Sequence, residues 1–300
     1  MKKFISLTVV ILLALTTSNA QLLYKISGKG LNKPSYIVGT QHFSPGTFAD
    51  SITGMKNAMN EVKQVYGEVV MSELSKPEVT QKIQATMILP EGKTLKDFFS
   101  KEELQDVYNY ISEVSGLDMN NPMVESQLSQ LTPTAVVAQM DVMLSIKYVQ
   151  DYNPQNPLDM FIQKEAIEKG KKVGGLEEAD YQINLLYGGK PEDGCKGLLC
   201  AARNIGFVKE QTKDLVNAYQ HQDIKALEEA FTRKMGNDCD MTEEFMTKLV
   251  TNRNNNWVKI MPNIMKQAPT LFAVGAGHLI GEKGVLNQLR KAGYTVTTVK

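Results

Sequence analysis

Two short stretches at opposite ends of the chain share one pattern, which constrains the fold more than any other feature. Residues 36–42 (YIVGTQH) and 272–278 (FAVGAGH) each carry an apolar run, a glycine, two small or polar residues and then a histidine. An apolar run of this kind is typical of a buried strand. The glycine permits a sharp turn that projects the histidine from the strand end. We therefore predict two strands that each deliver a histidine.

The chain has only three histidines, and two of them stand in these matched frames. A single G-x-x-H match is weak, because a turn glycine followed by a hydrogen-bonded histidine explains it equally well. Two matches in one context favour a shared site. If the strands are neighbours in one sheet, His42 and His278 converge, and paired histidines most often act as metal ligands or as an acid/base pair. The third, His221, lies in a polar stretch and is expected at the surface.

Strand patterns lie at both ends of the chain, and helical patterns fill its middle. Because the terminal strands must meet to close a core, we predict an α/β fold. Its central mixed sheet is formed by N- and C-terminal strands and carries a large helical insertion, within one domain over residues 21–300. The predicted strands cover residues 22–27, 36–40, 64–71, 172–175, 270–275 and 294–299.

Residues 1–20 have the pattern of a secretory signal peptide. Two lysines precede an apolar stretch over residues 4–15, and small residues at 18–20 form a cleavage site. The apolar stretch is too short to span a bilayer. No cysteine follows the cleavage site to carry a lipid, so we expect a secreted or periplasmic protein without a stable membrane anchor.

The charge of the chain argues against nucleic acid as a partner. Lysine and arginine number 33, aspartate and glutamate also number 33, and no basic run stands out. A protein that binds nucleic acid usually shows a clustered basic surface.

Three cysteines, Cys195, Cys200 and Cys239, are present. An exported protein can form disulfides, and Cys195 with Cys200 is the nearest pair, so we expect a local disulfide there at most. The spacing does not match a zinc knuckle, and we expect no catalytic role.

Glu68 is the first candidate to join the two histidines. It lies inside the apolar run over residues 64–71, where a carboxylate is costly unless it is paired or bound to a metal. The alternatives are a turn or edge position for Glu68, and Glu73 as the functional acid. Two histidines and one carboxylate form a common site for zinc, manganese or cobalt, with a position open for water.

Glu177 and Arg253 are weaker candidates. Glu177 follows the predicted strand 172–175 and suits a further ligand, a general base, or an acid that is merely favoured at a helix start. Arg253 lies one helical turn before Trp257, so the two share a face. It could hold a substrate carboxylate or an oxyanion, although such an arginine more often pairs with a structural acid.

Other motifs are absent or incomplete. The stretch 275–281 resembles a dinucleotide-binding loop, but its glycine spacing is off by one and too few residues follow for a βαβ unit. No G-x-S-x-G elbow, Walker loop or H-E-x-x-H helix occurs, so a serine hydrolase has no marked nucleophile.

Four segments together resemble the TraB/GumN family, which is related to the Tiki metalloproteases. The resemblance implies a metal-dependent peptidase with an erythromycin-esterase-like architecture. It implies that His42 and His278 are metal or catalytic histidines and that Glu68 is the partnering carboxylate, while Glu177 and Arg253 fall on recurrent positions. The segments are residues 35–42, residues 173–177 with Gln182, residues 253–254, and residues 274–279 with Gly284 and residues 293–294.

We therefore expect a metal-dependent hydrolase, a peptidase, that acts on an extracytoplasmic peptide or small acyl substrate with manganese, cobalt or zinc. The expected catalytic residues are His42, Glu68, His278 and Arg253. The expected metal ligands are His42, Glu68, His278 and Glu177. The alternative is a non-catalytic protein that binds a peptide, a metal or haem in the same cleft.

Overall fold

Six strands form one sheet in a computed structural model that describes residues 21–299. The predicted signal peptide, residues 1–20, lies outside the described residues. The strands are β1 Leu23–Ser27, β2 Ser35–Thr40, β3 Gln64–Gly67, β4 Lys172–Gly175, β5 Thr270–Gly275 and β6 Thr295–Thr298. Their order across the sheet is β4-β3-β5-β2-β1-β6.

The sheet is mixed, as predicted. β2, β5, β3 and β4 run parallel to one another, whereas β1 is antiparallel to both β2 and β6. The two histidine strands are direct neighbours, with Gly39 beside Val274 and Thr40 beside Gly275. The expected α/β fold, with its sheet built from both ends of the chain, is confirmed.

Apolar side chains cover both faces of the central strands. Val38 and Ala273 belong to the core on one face, and Ile37 and Phe272 belong to the core on the other. All four are buried. This explains why β2 and β5 read as continuous apolar runs, which is typical of parallel strands enclosed on both sides.

The helices are α1 Met55–Glu61, α2 Met71–Leu74, α3 Pro77–Met87, α4 Lys101–Ser115, α5 Pro122–Leu128, α6 Pro133–Tyr148, α7 Leu158–Glu168, α8 Ala179–Tyr187, α9 Pro191–Arg203, α10 Ile205–Gln220, α11 Ile224–Thr232, α12 Glu243–Met246, α13 Asn252–Gln267 and α14 Val285–Lys291.

The helical insertion consists of two parts, which β4 separates. Helices α2–α7 lie between β3 and β4, and α8–α13 lie between β4 and β5. A further apolar core forms among α4, α6 and α9. Within residues 21–299, no helix combines the length and the apolar character that a membrane span requires.

The expected local disulfide is wrong. Cys200 bonds to Cys239 across 39 residues, with a Cα–Cα distance of 5.4 Å, and Cys195 is free. Cys195 and Cys200 both lie on α9. Five residues along a helix rise about 7.5 Å, which exceeds the Cα separation that a disulfide spans. The bond instead ties the end of α9 to the segment before α12.

The third strand is shorter than predicted. It ends at Gly67, so Glu68 lies just beyond the strand and not within it. Gln163 of α7 explains the change of direction, because its side-chain amide donates to Val69 O at 2.8 Å and accepts from Met71 N at 2.9 Å. The backbone at Val69 and Met71 thus bonds to this side chain, while Glu68 O still accepts from the N–H groups of Leu176 and Glu177.

Candidate active site

Polar residues follow the carboxyl ends of the parallel strands at one edge of the sheet. In α/β sheets, ligands usually bind at this edge. A cavity of about 390 Å³ opens there, lined by His42, Glu68, Arg253 and His278. Four of the residues that the sequence singled out therefore share one cavity. His221, by contrast, lies on the surface after α10, as expected.

His278 is held in one orientation inside the fold. Its Nδ1 lies 2.7 Å from Asn254 Oδ1, and its Nε2 lies 2.9 Å from Arg253 Nη1. Since a guanidinium only donates, Nε2 is the acceptor and Nδ1 carries the proton. Trp257 packs against the imidazole at a ring-centroid distance of 4.5 Å. Burial lowers the pKa of His278 to about 4, so this imidazole is neutral near pH 7.

His42 has a different environment. Its side chain is 61% exposed, and its Nδ1 lies 3.0 Å from Oδ2 of the buried Asp159. Thr40 Oγ1 donates to the other oxygen of that carboxylate at 2.7 Å. The negative charge of Asp159 raises the pKa of His42 to about 9. His42 is therefore protonated near neutral pH when nothing else binds it.

Sequence reasoning did not find Asp159. It lies in the first turn of α7, where any acid is favoured by the helix dipole. The sequence carries only a weak signal for Asp159, which lies one helical turn before Gln163 on a face that also carries Leu158 and Ile162. In the structure all four side chains are buried. Two buried polar side chains on an apolar helix face indicate hydrogen-bonding duties.

Glu68 is buried and accepts hydrogen bonds at both oxygens. Gly275 N donates to Oε1 at 2.7 Å, and Oε2 accepts from Arg253 Nη2 at 2.6 Å and from Gln182 Nε2 at 3.0 Å. Burial raises the pKa of Glu68, but His278, Arg253, His42 and the Gly275 N–H outweigh it and lower the pKa to about 2. The carboxylate is ionised at neutral pH.

Arg253 uses all five of its N–H donors within the protein. Its Nε and Nη2 donate to Glu177, and Nη2 also donates to Glu68. Its Nη1 donates to His278 Nε2 and, at 3.2 Å, to Leu249 O in the π-helical turn Thr247–Thr251. The guanidinium also lies over Trp257, as the shared helix face predicted. No donor is left over for a substrate oxygen.

A sequence model of the TraB/PrgY/gumN family matches residues 22–298. The chain belongs to this family. The two G-x-x-H segments of this TraB/PrgY/gumN protein are the ends of β2 and β5, and the matched region contains every residue of the candidate site.

Curated relatives of this TraB/PrgY/gumN chain include Tiki proteins. Metalloprotease TIKI1 of Danio rerio is 22% identical over 302 residues, which cover 88% of this chain and 60% of that protein. Metalloprotease TIKI1 of Xenopus tropicalis is 22% identical over 308 residues, which cover 88% and 59%. A metalloprotease TIKI homolog of Amphimedon queenslandica is 28% identical over 162 residues, which cover 46% and 32%.

The chain spans about 60% of the length of the two TIKI1 relatives that it matches. No solved structure matches it.

Glu177 does not line the cavity of this family member. Both of its oxygens accept from Arg253, and Gln182 Nε2 and Trp257 Nε1 also donate to it. It therefore serves as the buried partner of Arg253. The other competing acid, Glu73, is half-exposed and pairs with Lys76, so it does not join the site.

The donor set of the TraB/PrgY/gumN site has the chemistry that a divalent metal requires. Each G-x-x-H histidine is hydrogen-bonded through Nδ1 to a side-chain oxygen, which is the usual arrangement for a histidine whose other nitrogen binds a metal. Glu68 Oε1 and His278 Nε2 are 3.8 Å apart, so one ion about 2.1 Å from each could contact both. Within residues 21–299, no group of three or more histidine, cysteine, aspartate or glutamate side chains is already placed to hold a metal ion.

Proposed function

We propose that this protein is a metal-dependent peptidase whose site is formed by His42, Glu68 and His278. The observation that carries the proposal is that both histidines are hydrogen-bonded through Nδ1 to a side-chain oxygen. Asp159 holds one and Asn254 holds the other, each at Nδ1, on adjacent strands beside an ionised glutamate. The metalloprotease names of the Tiki relatives support the same reaction class.

A bound manganese, cobalt or zinc ion would supply an activated water and polarise the substrate carbonyl. Hydrolysis then adds a hydroxyl to the carbonyl carbon and a proton to the leaving nitrogen. The chain contributes a fixed set of ligands for this chemistry. Because the pKa of Glu68 is about 2, the carboxylate suits a ligand better than a general base near pH 7. His42 must release its Nε2 proton before that nitrogen binds an ion.

Arg253 acts in this proposal as a positioning residue. It holds Glu68 through Nη2 and is itself held by Glu177. Its contact with His278 Nε2 uses the lone pair that a metal needs, so metal binding must replace that hydrogen bond. The same contact favours the second candidate function, a non-catalytic protein that binds a peptide in this cavity.

We propose an extracytoplasmic substrate. The signal peptide predicted over residues 1–20 supports this, and so does the Cys200–Cys239 disulfide, since such bonds persist in oxidising compartments.

The proposal is tested by elemental analysis of the purified mature protein after exposure to manganese, cobalt or zinc, beside cleavage of a peptide mixture followed by mass spectrometry. We expect near-stoichiometric metal and peptide cleavage in the wild type, and loss of both in His42→Ala and His278→Ala. His221→Ala is the matched control and should retain both. Cleavage that persists in His278→Ala would overturn the mechanism. If the protein binds peptides but cleaves none of them, whichever of the three metals is supplied, the non-catalytic binding protein becomes the supported function.

A further inference from the structure

The cavity has a second kind of wall, which the proposed chemistry does not use. The polar part of the cavity lining includes the candidate residues at the sheet edge, His42, Glu68 and His278, together with Arg253. The rest of the lining includes apolar side chains from four helical segments of the insertion. These side chains are Met71, Leu74, Leu186, Phe231, Leu249 and Val250.

This apolar wall begins next to the candidate catalytic residues. A Cβ added to Gly277 would lie 3.3 Å from Cε2 of Phe231, which is closer than an ordinary contact. The glycine inside the second G-x-x-H segment therefore allows the Phe231 ring to pack against the turn that carries His278. An apolar surface thus lies one residue from the proposed metal ligand.

One residue of this wall is exposed. Leu186 on α8 is 39% exposed. Scattered exposed leucines are ordinary, but this one lines the cavity together with Leu74 and Leu249. The apolar lining therefore includes a large side chain that solvent, or a substrate, can reach.

The charged residues of the cavity are already paired with one another. His42 pairs with Asp159, Glu68 pairs with Arg253, and Arg253 also donates to His278. A charged substrate side chain that entered the apolar wall would lose its hydration without gaining a partner.

We propose that this wall is a substrate subsite that takes a large apolar side chain, such as leucine or phenylalanine, beside the bond to be cleaved. This inference rests on the proposed peptidase function. The volume of about 390 Å³ accommodates one such side chain with the flanking backbone.

The test compares peptides of one scaffold that carry leucine, phenylalanine, alanine, aspartate or lysine at the position flanking the cleaved bond. We expect kcat/KM to be roughly 10- to 200-fold higher for leucine or phenylalanine than for alanine, and lower still for the charged peptides. Equal cleavage of all five would overturn the subsite while leaving the peptidase function intact.

A variant pair locates the preference in the wall. Leu186→Ser should lower kcat/KM for the leucine peptide by about tenfold and lower kcat/KM for the alanine peptide by a smaller factor. Leu117→Ser is the matched control, because Leu117 is also exposed, at 45%, and does not line the cavity. If Leu186→Ser and Leu117→Ser change kcat/KM for the leucine peptide by the same factor, the wall does not select the substrate.

Binding provides a readout that does not depend on turnover. Calorimetry on the metal-free protein should show that the leucine peptide binds at least tenfold more tightly than the aspartate peptide, and that Leu186→Ser abolishes the difference. Absence of cleavage with this binding pattern would refute the peptidase function alone. Equal binding of the two peptides would refute the subsite.

Discussion

Asp159 Oδ2 lies 3.0 Å from Nδ1 of His42, and the partner oxygen of the same carboxylate accepts from Thr40. This contact joins the first turn of α7 to the end of β2. It pairs an exposed histidine with a buried carboxylate. The pKa of His42 therefore reports the negative charge of Asp159.

Replacing Asp159 by asparagine should lower the pKa of His42 from about 9 towards its ordinary value of 6.5, because the charge that stabilises the imidazolium is removed. The measurement is an NMR titration of the histidine ring protons in the metal-free protein. With three histidines in the chain, His221 serves as an internal reference. Asp50→Asn, at an exposed site, is the control. An unchanged His42 pKa in Asp159→Asn would contradict the pairing.

Replacing Arg253 by methionine should destabilise the fold by about 3–5 kcal/mol, since it leaves two buried carboxylates, Glu68 and Glu177, without their cation. Urea unfolding measures the free energy of unfolding. Arg233→Met is the matched control, because that arginine pairs with Asp214 at a part-exposed site, where such a pair contributes about 1 kcal/mol or less.

The difference in the free energy of unfolding between the wild type and Arg253→Met should depend on pH. The pKa of Glu68 is about 2, below its ordinary value of 4.5. The ionised carboxylate therefore contributes stability that is complete above about pH 4.5 and is lost as the pH falls through about 2. Arg253→Met lacks that contribution, so the gap in unfolding free energy between wild type and variant should narrow from about pH 6 to about pH 3. A constant gap would show that the loss does not arise from the carboxylates.

Replacing Asn254 by alanine should weaken metal binding by about 10- to 100-fold, because His278 loses the acceptor that fixes its Nδ1 proton. Calorimetric titration with zinc measures the affinity. Asn254→Asp keeps an oxygen acceptor and should lose less. Asn255→Ala, at the exposed neighbouring position of α13, should match the wild type. Equal affinity in all four proteins would remove Asn254 from the site.

Removing the disulfide by Cys239→Ser should lower the free energy of unfolding by up to about 4 kcal/mol, from the loop-closure entropy of the 39-residue separation. Dithiothreitol should have the same effect on the wild type. Cys195→Ser should change neither the stability nor the response to reductant, since Cys195 is the free cysteine. Loss of stability in Cys195→Ser equal to that in Cys239→Ser would indicate a different pairing.

The strands that carry the site could be predicted because they are enclosed on both faces. β5 matches its predicted bounds, 270–275, and β2 begins one residue early. β3 could not be bounded, because its end depends on Gln163, which lies 96 residues beyond Gly67 in the chain. Periodicity describes local burial and carries no information about such distant partners.

The residues of the candidate site also fall into two groups, those that the sequence marks and those that it does not. His42 and His278 stand out by their repeated frame, and Glu68 stands out as an acid in an apolar run. Asp159 and Asn254 carry no such mark, since an acid in a first helical turn and an amide on a polar helix are ordinary. Their roles depend on which histidine each one meets, and that follows from packing alone.

β5 lies between β3 and β2 in the sheet, although it is the fifth strand in the chain. Until residues 270–275 have been synthesised, β4-β3 and β2-β1 are two separate strand pairs, and the end of β2 does not yet lie beside the strand that leads to His278. The pairing of β5 with β2 joins residues far apart in the sequence, and contacts of such long separation form slowly. A chain that is still being made, or is cut before β5, therefore lacks His278 together with β5, α14 and β6, and cannot form the candidate site.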